Sequence, residues 1–418
     1  MKCASRLMPI FAFILAALFL CYEMGLQAAM GVMTHELMRD FHTNANALGW
    51  MHAGYFVAYT AMQIPAGLLF DRYSTRGLIS VAILLCVVGS FIFCFSEELW
   101  LAIAGRFFEG LGSAFAFIGT LVVASRWFEG KWFALLVGIA QALAALGAMS
   151  AGAPLALAIQ HWGWRETLMM ISGFGALLVP LVWFVLQQQP CIAQPKRQSE
   201  FSFQNSLKMI IKDKNIWWIA IYAFCAWAPV TIFAELWGEN FLTQLFPIST
   251  AYAGGMIAMI WIGLTLTSPV LGWFSEACRT RKKPAFCMAF IGVFSTIVLL
   301  YFNSHEWLAW LCLIGFGMAA SGQILTFAMV KDYQPPALVG TAIGMINMAV
   351  VAGGAILGPL ASTLLHTYWH GELVNQTPYY NLVTFRASLW LLPLCFFAAT
   401  VVAGLLLKET HPKKGANK

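Results

Sequence analysis

Charged residues are scarce in this chain: only 10% of its 418 residues are Asp, Glu, Lys or Arg, whereas 60% are hydrophobic. About a quarter of the residues in a soluble globular domain are charged, so this composition excludes that class. None of the ten cysteines forms a Cys-x-x-Cys pair, and neither His-Glu-x-x-His nor Gly-x-Ser-x-Gly occurs. We therefore expect neither an enzyme nor a bound metal or cofactor.

Hydrophobic runs long enough to cross a lipid bilayer recur along the whole chain. Each crossing needs about 20 apolar residues. The runs lie at 8–32, 47–69, 77–96, 99–123, 132–159, 166–187, 216–242, 251–274, 284–302, 307–330, 338–366 and 387–407. They predict an all-α membrane protein with twelve transmembrane helices.

The twelve predicted helices divide into two bundles of six, at 1–187 and 215–418. Between the bundles, the polar stretch at 188–214 reads as a cytoplasmic linker. Its last part, from Phe203 to Lys214, is either a short amphipathic helix on the inner leaflet or a solvated segment.

Basic residues are concentrated on one side of the predicted membrane. If both termini are cytoplasmic, Arg39, Arg165 and Arg386 fall on the outer side and Arg106 within a helix, while the rest of the 24 Lys and Arg residues are cytoplasmic. This asymmetry is a strong positive-inside signal. The net charge of +6 therefore indicates contact with anionic lipid rather than with nucleic acid.

Glycines of the first half recur in the second half, about 205 residues later. The recurring residues are Gly110, Gly112, Gly138, Gly147 and Gly152, which correspond to Gly315, Gly317, Gly344, Gly353 and Gly358. A two-fold internal repeat in a membrane protein is typical of secondary transporters. We expect two bundles that are related by a pseudo-two-fold axis.

The segment at 67–76 reads GLLFDRYSTR and lies after the second predicted helix. It resembles the signature loop of the major facilitator superfamily, Gly-x-x-x-Asp-Arg-x-Gly-Arg-Arg, and a degenerate copy follows the eighth helix. The residues that carry this resemblance are Gly67, Asp71, Arg72 and Arg76 in the first copy, and Gly272, Glu276 and Arg281 in the second. The resemblance implies the superfamily's fold and a latch that joins the halves on the cytoplasmic side and opens during transport. The alternative is a loop held by ordinary ion pairs.

The fourth predicted helix reads RFFEGLGSA from Arg106 onward. It resembles a second superfamily motif, Arg-x-x-Gln-Gly-x-Gly-x-Ala, with Glu109 in place of Gln. The run from Arg106 to Leu143 also resembles bacterial nutrient importers, particularly the phagosomal-transporter branch and related siderophore importers. That resemblance implies amino acids or similar small solutes.

Three charged residues, Glu23, Arg106 and Glu109, are predicted at membrane depth, where an unpaired charge costs at least a few kcal/mol. Depth alone permits an ion pair between Glu23 and Arg106, which is suited to proton coupling because burial favours the protonated carboxyl and Arg the ionised one. Two alternatives remain open. Arg106 pairs with Glu109 as fixed structure, or Arg106 binds a charged group of the substrate.

Polar side chains along several predicted helices are candidates for a substrate cavity. His52, Tyr55, Tyr59 and Gln63 share one face of the second helix, as the wall of a water-filled path or as interhelical contacts, and Gln27 lies one turn from Glu23. Gln141 and Asn347 occupy equivalent repeat positions, which favours a site on the pseudo-two-fold axis. Weaker candidates from the second half are Tyr222, Thr231 and Gln323.

Two acidic residues of the seventh helix, Glu235 and Glu239, lie near its outer end and are expected to face solvent, with Glu235 at the outer mouth. Positions equivalent to Glu23, Arg106 and Glu109 in the second half carry no charge; Ala228 stands at the first of them. We therefore expect coupling residues only in the first half.

These observations predict a secondary active transporter that imports a small polar organic solute by alternating access, driven by the proton gradient. Its partners would be the solute, protons and the lipid of a bacterial inner membrane, and it would act as a monomer with both termini cytoplasmic. The alternatives are a siderophore, drug or metabolite exporter that works by proton antiport, and a non-transporting membrane sensor.

Overall fold

A computed structural model describes residues 7–128, 132–186, 203–302, 305–374 and 376–411. The helices of the first half are α1 Met8–Ala28, α2 Met30–Asp40, α3 Ala45–Arg72, α4 Thr75–Cys94, α5 Leu99–Ser113, α6 Ala116–Trp127, α7 Phe133–Ser150, α8 Ala153–Trp162 and α9 Trp164–Val185. The second half continues with α10 Phe203–Lys212, α11 Lys214–Ile232, a π-helical turn Phe233–Trp237, α12 Gly238–Leu245, α13 Thr250–Ala277, α14 Lys282–Tyr301, α15 Glu306–Ser321, α16 Ile324–Tyr333, α17 Pro336–Thr367, α18 Leu382–Ser388, α19 Leu391–Val401 and a second π-helical turn Val402–Leu406.

Within the described residues, twelve helical segments are long and apolar enough to span a membrane. In chain order these spans are Met8–Ala28, Ala45–Phe70, Thr75–Cys94, Leu99–Trp127, Leu135–Trp162, Trp164–Val185, Lys214–Leu245, Thr250–Ala277, Lys282–Tyr301, Glu306–Tyr333, Leu338–Thr367 and Leu382–Leu406. They confirm the predicted all-α architecture and agree with most predicted ends to within a few residues.

Local sequence explains where several of these helices begin. The side chains of Asn44, Ser74 and Ser249 accept hydrogen bonds from backbone N–H groups in the first turns of α3, α4 and α13. Such caps satisfy donors that the helix itself leaves free. Asp213 caps α11 in the same way, directly after α10. The end of the predicted linker at 203–212 is therefore helical, and 188–202 lies outside the described residues.

The two ends of the bundle differ in character. One end, which we call the hairpin end, carries α2 and a short antiparallel hairpin of β1 Leu373–Val374 and β2 Thr377–Pro378, in which Leu373 pairs with Pro378. The other end, which we call the basic end, carries the loops that contain Arg72, Arg126 and Arg281. The second and eleventh spans pack against each other between these ends.

The repeated glycines allow neighbouring helices to approach closely. Any side chain at Gly110 would collide with the backbone carbonyl of Tyr55 in the second span, and one at Gly317 would collide with that of Ile260 in the eighth. Gly147 packs on the carbonyl of Cys21 in the first span, and Gly353 packs on the Cα and Cβ of Ala228 in the seventh. Gly147 and Gly353 thus repeat a helix contact, whereas Gly315, the repeat partner of Gly110, lies against Ser295 of the ninth span instead.

The two halves touch at the hairpin end and separate toward the basic end along the fifth and eighth spans. Gly152 lies against Gly254, where an added Cβ would be 2.6 Å from the Gly254 carbonyl oxygen. Gly138, in α7 and nearer the basic end than Gly152, and Gly272, five turns from Gly254 on the same face of α13, have nothing within 4 Å of an added Cβ. Along the fifth and eighth spans, the conformation is therefore closed at the hairpin end and open at the basic end.

Candidate functional site

A group of buried polar side chains lies where the first, second, fourth and seventh spans meet. Its charged members are Glu23, Arg106, Glu109 and Glu235, each at most 1% exposed. Gln27 and Tyr55 connect them and are buried as well. We call these six residues the central cluster.

Arg106 pairs with Glu109 on its own helix. The Nη1 atom of Arg106 donates to Glu109 Oε2 at 2.6 Å and to the backbone carbonyl of Leu26 at 3.0 Å. Ser90 donates to the other oxygen of Glu109 at 2.6 Å. Of the pairings that the sequence leaves open, the one between Arg106 and Glu109 is formed in this conformation, and the described contacts of Arg106 do not include an ion pair with Glu23.

Glu23 is held by a tyrosine instead. The hydroxyl of Tyr55 donates to Glu23 Oε2 at 3.0 Å, and the guanidinium of Arg106 lies over the Tyr55 ring with Cζ 4.7 Å from its centroid. Arg106 and Glu23 thus contact opposite parts of one phenol side chain. Glu23 Oε1 and the Nε and Nη2 atoms of Arg106 have no hydrogen-bond partner within the described part of the chain.

The cluster extends into the second half through Gln27, whose Nε2 donates to Glu235 Oε1 at 2.8 Å. Glu235 is fully buried and Glu239 is 2% exposed, so the prediction that they face solvent is wrong. The cause is the packing around the seventh span: α2 extends beyond the first span and covers the π-helical turn and α12.

The polar stripe of the second span lies in the interface between the halves. His52, Tyr59 and Gln63 are at most 6% exposed, and the His52 ring packs against Phe56. The side chain of Asn347 donates to Gln63 across the halves at 2.5 Å. In this conformation the stripe forms contacts between helices. The other role that the sequence allows is the wall of a water-filled path.

The remaining cavity candidates divide by environment. Gln141 is exposed. It lies on the part of the fifth span where that span separates from the eighth. Tyr222 donates to the Ala285 carbonyl at 2.8 Å and Thr231 to the Ala228 carbonyl at 2.9 Å, so both bind the backbone of their own half. Gln323 is buried at the break between α15 and α16.

The two signature loops make their contacts within their own halves. Arg76 lies over the Trp183 ring at 4.2 Å and Arg72 is exposed, whereas the side chain of Asp71 lies outside the described part. Arg281 binds Asp332 at 2.9 Å and also Glu276. The implied latch between the halves is therefore not formed by these described contacts, as expected when the basic end is open.

Comparison with known proteins gives matches along the whole chain. The sequence pattern of the Major Facilitator Superfamily matches residues 15–262 and 236–418. The membrane sensor protein UhpC of Escherichia coli is 22% identical over 379 residues, 81% of this chain and 82% of the relative. The human lysosomal dipeptide transporter MFSD1 is 24% identical over 350 residues, 79% of this chain and 74% of the relative.

The fold also resembles a solved structure, that of a bacterial homolog of the human lysosomal transporter Spinster in an inward-facing and unoccupied conformation. The TM-score is 0.75 at 14% sequence identity, and the match covers 96% of this chain and 93% of that chain. The likeness supports the fold.

Proposed function

The chain belongs to the Major Facilitator Superfamily, and from this premise we propose that it is a proton-coupled importer of a small polar organic solute. The observation that carries the proposal is the central cluster: acidic and basic side chains, fully buried, at the junction of two halves that are closed at one end only. Buried charges with free hydrogen-bonding atoms are costly, which favours a functional role for them.

Glu23 is the proposed proton carrier of the first half. One of its carboxyl oxygens accepts a hydrogen bond from Tyr55, and the other has no partner in the described part of the chain. Because Tyr55 also carries the Arg106 guanidinium on its ring, a movement of the fourth span relative to the first changes the field at Glu23. Such a change would load or release a proton during the transport cycle.

Arg106 is the proposed substrate contact. Its Nη1 atom binds Glu109 and Leu26, whereas Nε and Nη2 have no hydrogen-bond partner among the residues that the structure describes. These two atoms form the edge of a guanidinium that binds a carboxylate with two parallel hydrogen bonds. A solute with a carboxylate, such as an amino acid or a short peptide, fits this edge, and one similar protein is named a dipeptide transporter.

The proposed orientation places the basic end in the cytoplasm of a bacterium, with both chain termini there. The support is the concentration of Lys and Arg at that end, since the positive-inside rule places basic loops in the cytoplasm. The conformation is then open to the cytoplasm. Export by proton antiport uses the same elements and is separated from import by the direction of flux.

A second candidate is a membrane sensor that binds its solute without transporting it, which is supported by the similarity to UhpC. The two functions differ in flux. A sensor would bind a solute with Arg106 intact and show no accumulation in vesicles at any imposed pH gradient.

The test is uptake into proteoliposomes that contain the purified full chain, with labelled amino acids, dipeptides, organic acids, nucleosides and siderophores, under an inward proton gradient. We expect accumulation of one carboxylate-bearing class, lost in Glu23→Gln. The matched control is Glu97→Gln, since Glu97 is exposed at the hairpin end and lies outside the cluster. Accumulation that survives in Glu23→Gln would remove Glu23 from the mechanism.

A further inference from the structure

Glu235 lies on an irregular stretch of the seventh span. The residues Phe233–Trp237 form a π-helical turn between α11 and α12, and Glu235 is its central residue. Such turns within α-helices occur frequently at functional sites. The equivalent stretch of the first half, at 28–32, contains the break between α1 and α2 at Ala29, and Met30 stands at the position equivalent to Glu235. The carboxyl therefore belongs to the second half alone.

The surroundings of Glu235 disfavour a negative charge. Its only described hydrogen-bond donor is the neutral amide of Gln27, at 2.8 Å, and its second oxygen, Oε2, is buried without a partner. The charges that act on it from the first half are Glu23, which repels, and Arg106, which is already paired with Glu109. Burial of an ionised carboxylate without a paired cation is strongly unfavourable, whereas a neutral carboxyl is tolerated.

The other titratable groups around Glu235 do not supply a cation. Glu239 follows four residues later on α12, is buried against Gly31, and has its own unpartnered oxygen, Oε2. The second span contributes His52, Tyr55 and Tyr59, and neither ring nitrogen of His52 has a partner within the described residues. The closed hairpin end thus contains two carboxyl groups that fit best when they are neutral.

The bond from Gln27 to Glu235 joins the two halves close to the hairpin end. Asn240 also binds Thr34 there, and Tyr380 accepts from the backbone of Ala45 at 3.0 Å. For the hairpin end to open, α2 and the first span must move away from the π-helical turn and α12. That movement breaks the bond and brings Glu235 into contact with water.

We infer that Glu235 is a proton-binding residue of the second half, and that a proton on Glu235 is required for the hairpin end to close. When that end is open, hydrated Glu235 is free to ionise; when it closes, the neutral carboxyl is buried against Gln27. The inference deepens the proposed transport function and rests on it, and it places a coupling residue outside the first half.

A first experiment measures the gate without any substrate. Hydrogen exchange of the purified full chain in lipid nanodiscs is followed by mass spectrometry from pH 6 to pH 9, corrected for the chemical exchange rate. We expect peptides that cover 30–40 and 238–245 to lose at least about tenfold protection as the pH rises. Glu235→Gln should stay protected throughout, and exposed Glu97→Gln should behave like the unmodified chain.

Two further variants keep the result interpretable. Glu235→Asp retains a titratable carboxyl and should retain pH dependence, and Glu239→Gln shows whether the neighbouring carboxyl is responsible instead. Unchanged pH dependence in Glu235→Gln overturns the inference, as does loss of the dependence in Glu239→Gln alone. If Glu235→Gln does not fold, absence of pH-dependent protection in the unmodified chain and in Glu235→Asp overturns it.

A second experiment separates this inference from the proposed function. In proteoliposomes, Glu235→Gln should lose accumulation driven by a pH gradient by at least about tenfold while it retains exchange of labelled for unlabelled solute. Proton-driven accumulation that is normal in Glu235→Gln overturns the inference and leaves the transport function intact. If no solute is moved but protection depends on Glu235, the proposed transport fails and the gate remains supported.

Discussion

Arg106 and Tyr55 are stacked at the centre of the molecule, with the guanidinium carbon 4.7 Å from the centroid of the phenol ring. Both side chains are at most 1% exposed. The hydroxyl of the same tyrosine reaches Glu23. Arg106 and Glu23 of the proposed coupling site therefore contact the same aromatic side chain. A substitution of Tyr55 can remove the contact with Glu23 and keep the contact with Arg106.

Tyr55→Phe keeps the ring beneath Arg106 and removes the hydrogen bond to Glu23, together with the longer one to Gln27 at 3.4 Å. A hydrogen bond to a charged group contributes about 1.5–3 kcal/mol, which corresponds to a change of about 10- to 150-fold in an equilibrium. We expect folding and solute exchange to persist and proton-driven accumulation to fall by about tenfold or more, measured in proteoliposomes.

The control for this variant is Tyr22→Phe. The Tyr22 hydroxyl is buried and makes no described hydrogen bond, so its removal should leave accumulation unchanged. Equal accumulation by Tyr55→Phe and the unmodified chain would show that the hydrogen bond to Glu23 has no part in coupling.

Variants of the buried pair of Arg106 and Glu109 distinguish a role in stability from a role in transport. Removal of one partner of a buried ion pair costs about 3–5 kcal/mol, because the other charge remains buried, whereas replacement of both by apolar residues is often neutral or stabilising. We expect Arg106→Met and Glu109→Leu to lower the melting temperature in detergent, and the double variant to recover most of the loss.

Transport by the same three variants shows whether the pair of Arg106 and Glu109 also has a role in function. The stable double variant should move no solute, since it lacks the proposed carboxylate contact. A double variant that is stable and transports normally would assign the pair to structure alone.

Asp40 joins α2 to the start of α9 at the hairpin end. It accepts hydrogen bonds from Trp164 at 2.8 Å, Arg165 at 2.9 Å and Arg39 at 2.8 Å. Burial alone would raise the pKa of Asp40, but these donors and the two arginine charges outweigh it, so the pKa is lowered. A lowered pKa adds stability at a pH above the ordinary value of about 3.9, and this stability is lost as the pH falls through the folded-state pKa.

We therefore expect Asp40→Asn to destabilise the protein by about 1 kcal/mol at pH 7, at the low end for such bonds because the side chain is 20% exposed. The difference in melting temperature between Asp40→Asn and the unmodified chain should shrink as the pH falls below about 4. A difference that grows toward low pH would contradict this account.

Much of the fold is predictable from sequence because a bilayer leaves few choices. Spans must be helical and about 20 residues long, so hydrophobic runs locate all twelve. The repeated glycines also have the predicted packing role, since the repeat partners Gly147 and Gly353 lie against the first and seventh spans.

The partners of the charged residues are not predictable in this way. Depth along a helix places Glu23 and Arg106 at one level, but rotation about the helix axes decides that Arg106 meets Glu109 and Glu23 meets Tyr55. Glu235 and Glu239 are near the end of a hydrophobic run, which suggests solvent. They are buried because α1 and α2 pack on the seventh span, and these contacts join residues about 200 positions apart.

Substitution of glycine by alanine in the fifth and eighth spans should have opposite effects at the two ends of the bundle. An alanine at Gly152 would place its Cβ 2.6 Å from the Gly254 carbonyl, which must move for the hairpin end to close. Alanine at Gly138 or Gly272 meets nothing within 4 Å in this conformation. In the alternate conformation, however, the basic end must close, and these two glycines lie on the faces that would then approach.

We therefore expect Gly152→Ala to shift the protein toward a conformation open at the hairpin end, and Gly138→Ala and Gly272→Ala to shift it toward one open at the basic end. Hydrogen exchange measures this as less protection at 30–40 in Gly152→Ala and equal or greater protection there in the other two. Uptake should fall several-fold in each, because a cycle needs both conformations. Shifts of the same sign in Gly152→Ala and Gly138→Ala would mean that these glycines serve general packing, and that the fifth and eighth spans do not gate the two ends in turn.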